Sequence, residues 1–183
     1  MLSDEEGKKI VGYARKVLES YVKNEDIAEV PDEDFLNENK GVFVTLNKNG
    51  ELRGCVGIPR PDFSLGEATK RAAKSAADDR RFPPLKPGEL EDIEIEVTVL
   101  TEPKEVEVEN SDEYLDKIEV GKHGLIIECK GREGLLLPQV PEDQDWSCKE
   151  YLEGLCRKAR LEPGAWERDH TVIKSFEGQV FEE

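Results

Sequence analysis

Long apolar runs are missing from this 183-residue chain. None approaches the roughly 20 residues that a membrane-crossing helix needs. The N-terminal MLSDEEGKKI is acidic and polar, the wrong start for a signal peptide, so a soluble, cytoplasmic protein is the expectation. A phosphate-binding glycine loop, an H-E-x-x-H pair and a G-x-S-x-G elbow are absent too. Nucleotide hydrolysis, zinc proteolysis and α/β-hydrolase chemistry therefore lose their usual signatures.

Cysteine is sparse and scattered. Cys55, Cys129, Cys148 and Cys156 form no C-x-x-C pair, a pattern that favours reduced thiols over a disulfide framework. Cys148 and Cys156 could share a helix face, with His123 or His170 completing a zinc set. The ligand spacing of zinc fingers is missing, however, and no metal or cofactor is expected.

Positive charge is also scarce: 26 Lys and Arg stand against 42 Asp and Glu, a net charge of -16. Clustered cations are what phosphate neutralisation requires, so nonspecific nucleic-acid binding is disfavoured. The segment from Arg53 to Arg81 departs from the rest, with seven basic residues against four acidic ones. A local positive field there could steer a small anion. A regulator that binds nucleic acid through this segment is the weakest of the functional readings.

What is present reads as alternating helices and strands. Ser3 and Glu6 form a capping-box pattern, followed by apolar residues at helical spacing from Ile10 to Val22. The polar NEDIAEVPDEDFLNENK reads as a connecting loop. GVFVTLN and ELRGCVGI flank Asn49-Gly50, a hairpin turn signal. Ser64 and Glu67 repeat the capping box before an Ala-rich helix to Ala77, which must stop before Pro83, Pro84 and Pro87. IEIEVTVL alternates like a half-exposed antiparallel strand.

Further on, Ser111 opens a short helix to about Lys117, and the turn at Gly121–Gly124 leads into LIIEC. KGREG turns into LLLPQV. Ser147 and Glu150 cap a helix carrying Tyr151, Leu152, Leu155, Cys156 and Ala159, and TVIKSFEGQVFEE closes with one or two strands. Strands and helices mix without a β-α-β rhythm, so the expected class is α+β, a mainly antiparallel sheet flanked by helices. No linker is visible, and residues 1–183 read as a single domain.

LRGCVG, Leu52 to Gly57, is the stretch that packing alone does not explain. Side chains alternate along a strand, which predicts Arg53 and Cys55 on one face and Leu52, Gly54 and Val56 on the other.

On LRGCVG, AADDRRFPPL, IEIEVTVLTEP, GKHGLII, GLLLPQV, LCRKARLEPGAW and FEGQVFEE, the chain resembles the AMMECR domain family, in a single-domain prokaryotic or archaeal form. That family usually has Ile at the position of Val56. The resemblance covers nearly the whole chain. It implies a larger lobe on an antiparallel sheet, a smaller lobe, and a cleft between them near LRGC. It implies no defined reaction. Some relatives are fused to, or encoded beside, Memo-type proteins and radical SAM enzymes.

Two readings follow. In the first, an enzyme-like pocket uses Cys55 on a small anionic or carbonyl substrate. Arg53 stabilises the thiolate, and His123 serves as acid or base. Gly54 and Gly57 leave room for the substrate, and Arg81 and Gln139 supply polar contacts. In the second, the protein is a non-catalytic adaptor for a Memo-like or radical SAM partner. Cys55 is then a small buried hydrophobe, and Arg53 pairs with a carboxylate.

Overall fold

A computed structural model describes all residues, Met1–Glu183. In chain order the elements are α1 (Asp4–Val22), α2 (Asp34–Asn37), β1 (Val42–Lys48), β2 (Glu51–Ile58), α3 (Leu65–Ala77), β3 (Ile93–Leu100) and β4 (Lys104–Glu105). They continue with α4 (Tyr114–Lys117), β5 (Gly124–Cys129), β6 (Arg132–Leu136), α5 (Gln139–Asp143), α6 (Cys148–Lys158), β7 (Val172–Phe176) and β8 (Gly178–Glu182). A 3-10 turn, Pro87–Asp92, precedes β3. The fold is α+β. No helix is long and apolar enough to cross a membrane.

Packing divides the chain into two compact units, Met1–Thr101 with Gln179–Glu183, and Glu102–Gly178. The first is built on a four-stranded sheet in the order β2-β1-β3-β8, with β1 antiparallel to both neighbours in β2 and β3. Helix α1 begins as its sequence predicts. The Ser3 hydroxyl accepts the Glu6 N–H, and the Glu6 carboxylate accepts the Ser3 N–H at 2.8 Å. Its Ile10, Ala14, Val17 and Leu18 are fully buried. Burying an Ile, Val or Leu side chain in this way contributes about 1.5–3 kcal/mol. The small Ala68, Ala72, Ala73 and Ala76 of α3 are equally buried and bring its backbone close to the sheet.

Three local expectations change. Glu67 does not complete a capping box with Ser64, because its carboxylate accepts the Arg71 Nε–H at 2.7 Å instead. The polar connecting stretch contains α2, whose Phe35 and Leu36 are buried. Strand β3 alternates only at its start; from Val97 to Leu100 every residue is buried. It lies between β1 and β8 and is antiparallel to β1 as expected, but only its first half is half-exposed.

The second unit holds a sheet in the order β4-β7-β5-β6. Helix α6 starts with a reciprocal Ser147–Glu150 capping box. It packs Tyr151, Leu152, Leu155 and Cys156 into a core with Leu125, Ile127, Trp166 and Ile173. The segment LLLPQV is part strand and part helix, since β6 ends at Leu136 and α5 starts at Gln139.

Candidate functional site

The hairpin of β1 and β2 turns at Asn49 (φ 53°) and Gly50 (φ 79°), both left-handed, as a two-residue primed turn requires. From the turn, Glu51 pairs with Lys48 and Leu52 with Asn47. The register then shifts, so that Gly54 pairs with Leu46 and Arg53 is left over as a β-bulge.

The bulge corrects the expectation that Arg53 and Cys55 share a face. Arg53 ends on Glu89, through Nε at 3.1 Å and Nη2 at 3.0 Å. Lys48, on the side of buried Val42, Val44 and Leu46, donates to the same carboxylate at 3.1 Å. Cys55 lies on the opposite side, directly across from Thr45, whose hydroxyl donates to its sulfur at 3.4 Å. Strict alternation fails here because one extra residue resets the phase of the strand.

Glu89 carries the charge of this first cluster. The Arg53 guanidinium holds its carboxyl down to about 2 from an ordinary 4.5, helped by the Lys86 N–H and by Lys48 against the opposing cost of burial. Arg53 is thus neutralised by a bidentate partner.

Gly54 marks the next join. A β-carbon there would collide with the backbone carbonyl of Ala76, so only glycine lets the C-terminal turn of α3 rest against β2. That close approach places Asp79 beside the strand. Cys55 faces its cross-strand neighbour without exchanging backbone hydrogen bonds, so its N–H and C=O point away from β1, at the free edge of the sheet. The Asp79 carboxylate accepts the Cys55 N–H at 2.9 Å, and Arg81 Nη2 donates to the Cys55 carbonyl at 3.2 Å. Arg81 also donates to both Asp79 oxygens, through Nε at 3.1 and 3.2 Å and Nη2 at 2.6 Å. This pairing holds the buried Asp79 carboxyl well below the usual carboxylate range.

Gly57 is occupied in another way: the Phe43 ring lies where its β-carbon would be. Neither Gly54 nor Gly57 therefore keeps space open for a substrate, a second correction. One is filled by a helix carbonyl and the other by an aromatic ring. An open groove of ≈ 370 Å³ lies in the second unit, and one of ≈ 570 Å³ lies on the α3 side of β2, where Val56, Lys74 and Arg80 line it and Cys55 does not.

The remaining candidates belong to the second unit. His123 Nδ1 accepts the Glu119 N–H at 3.1 Å, and its Nε2 is 3.7 Å from the Glu177 carboxylate. The buried Tyr151 hydroxyl is 3.0 Å from the His123 carbonyl and 3.3 Å from that of Leu137, two residues before the exposed Gln139. One buried phenol therefore steadies both loops. Burial pushes the Cys148 and Cys156 thiols up. All four cysteines are free, and no set of three or more His, Cys, Asp or Glu side chains is arranged to hold a metal ion.

Sequence reasoning missed Thr45, Asp79 and Glu89 as partners of the motif. The signal available for Asp79 was DDRR, two carboxylates and two guanidiniums directly after a small-residue helix.

A family model described as AMMECR1 matches residues 11–181. The protein MK0488 of Methanopyrus kandleri is 50% identical over 187 residues, spanning 100% of this chain and 90% of its own. The protein MJ0810 of Methanocaldococcus jannaschii is 46% identical, spanning 100% and 92%. The crystal structure of an uncharacterized Pyrococcus horikoshii protein, PH0010, superposes with a TM-score of 0.83 at 42% identity, covering 100% of this chain and 93% of that one.

Proposed function

The chain belongs to the AMMECR1 family, and we propose that within it Cys55 acts as a held thiol in an enzyme-like site for a small anionic or carbonyl substrate. One observation carries this reading. Both backbone groups of Cys55 are fixed by the Asp79–Arg81 pair, while its sulfur accepts the Thr45 hydroxyl. A nucleophile gains from such fixing, because the ordering is done before the substrate arrives.

The roles follow from chemistry. Addition to a carbonyl forms an S–C bond as the C=O π pair moves to oxygen, and the thiol proton ends on that oxygen. Arg81 uses Nε and Nη2 on Asp79 and Cys55, which leaves the two N–H groups of Nη1 for an anion. The proposal takes Arg81 in place of Arg53 as the guanidinium of the site. His123 as acid or base and Gln139 as a polar contact remain part of the proposal.

A second reading is favoured by the same ion pairs. Glu89 neutralises Arg53 and Asp79 neutralises Arg81, so no unpaired cation of the motif is left to activate the thiol. The protein is then a non-catalytic adaptor for a Memo-like or radical SAM protein. Site-resolved alkylation at neutral pH separates the two. The thiol reading expects Cys55 to react faster than Cys148 and to slow in Arg81→Ala and His123→Ala. Reaction no faster than Cys148, or only on unfolding, favours the adaptor and directs the search to binding assays with the two partner classes.

A further inference from the structure

The open groove of ≈ 370 Å³ in the second unit is one that the thiol site does not involve. Its wall includes Glu105, Glu107, Glu109, Glu167 and Asp169, none of which sits in an ion pair. The one cation on the wall, Arg168, is already paired with Glu162 at 2.8 Å. Glu105, Glu107 and Glu109 are exposed while Val106 and Val108 between them pack on the core, so three carboxylates project in a row. In extended chain, alternate residues are about 7 Å apart.

A second observation points into the same space. Tyr114 lines the groove and is only 6% exposed, yet its hydroxyl has no protein hydrogen-bond partner. No fully buried polar side-chain atom in the protein lacks a partner, so that hydroxyl is not sealed off, and its residue lines the groove. Burial and the nearby Glu105 push the phenol up from its ordinary value, keeping it a neutral group able to accept or donate. Water or a ligand in the groove supplies the partner that the protein does not.

We infer that this groove binds a linear aliphatic polyamine, its ammonium groups on the Glu105–Glu107–Glu109 row and one N–H on the Tyr114 hydroxyl. The carboxylates are strung along a wall and do not converge as a metal-binding set, which suits a chain of separated charges better than one compact ion. The volume is that of a small-molecule site. Ammonium groups spaced by three or four methylenes can follow a row of this pitch.

Calorimetric titration of the full-length protein with spermidine at low ionic strength tests this. Saturable binding near one molecule per chain is expected. Glu105→Gln/Glu107→Gln should weaken it by about tenfold or more, as two charge-assisted contacts are lost. Tyr114→Phe, which removes no internal bond, should weaken it by about threefold. The control Glu25→Gln/Glu29→Gln, an equal charge change at exposed positions of the first unit, should leave it unchanged. Absence of saturation would overturn the inference. So would equal weakening by the control, equal affinity for magnesium ion, or tighter binding of a lysine tetrapeptide.

Discussion

The backbone carbonyl of Ala76 occupies the place where any residue other than glycine at position 54 would put its β-carbon. Gly54 and Ala76 are thus the contact that sets α3 against β2. Asp79, three residues beyond Ala76, reaches the edge of the strand because of it. The stretch LRGCVG is then a joint: Arg53 is tied to Glu89, Gly54 admits α3, Cys55 is clipped by Asp79 and Arg81, and Gly57 lies under Phe43.

Gly54→Ala should destabilise the first unit, because the obstacle is backbone and cannot rotate away. Overpacking of this kind costs about 1–3 kcal/mol or more. Denaturant unfolding should show a lower midpoint. Gly12→Ala, where a β-carbon meets nothing in α1, should not lower it and provides the control.

The Glu89 cluster sets an acid limb of stability. Its carboxyl is depressed in the folded chain to about 2, from an ordinary 4.5. The folded state therefore holds the proton less tightly than the unfolded chain. The contribution is full above about 4.5 and is lost as pH falls through about 2. Glu89→Gln should be less stable than wild type at neutral pH, and the gap measured by denaturant unfolding should close across that window.

How much of this was legible in the sequence depends on the range of the interaction. Ser3, Ser147 and Asn49-Gly50 act within four residues, and the helix starts and the hairpin follow from them. The bulge at Arg53 was not legible, since alternation in one strand carries no record of its partner's register. Asp79 and Glu89 were also hidden as partners: each is more than 20 residues from the residue it binds, at separations of 24 and 36. The closing strands were expected, but that β7 and β8 would join different sheets, only one residue apart, depends on long-range pairing alone.

Two of the three serine caps, Ser147 and Ser64, make a local comparison possible. Ser147 has both halves of its box, whereas Ser64 only accepts the Glu67 N–H, at 3.4 Å. An N-cap serine is worth about 0.5–2 kcal/mol. Ser147→Ala should fall toward the top of that range and Ser64→Ala toward the bottom, read from unfolding midpoints.

Removing the clip should loosen the Cys55 backbone before it unfolds the chain. Arg81→Ala deletes a side chain that is 57% exposed and one bond to the Cys55 carbonyl. It also leaves the buried Asp79 carboxylate without its ion-pair partner, so the loss should exceed the about 1 kcal/mol common for exposed pairs. Asp79→Ala leaves the Cys55 N–H without its acceptor and should cost more. Paired denaturant curves give the comparison.

Amide hydrogen exchange at Cys55, resolved by NMR in wild type and Asp79→Ala, tests the clip most directly. An N–H pointing off the free edge of a sheet exchanges quickly unless something holds it. Slow exchange in wild type, accelerated in Asp79→Ala while the Val44 and Val56 amides stay protected, is the predicted result. Exchange at Cys55 as fast as in an unfolded peptide in the wild-type protein would contradict it, and the held thiol with it.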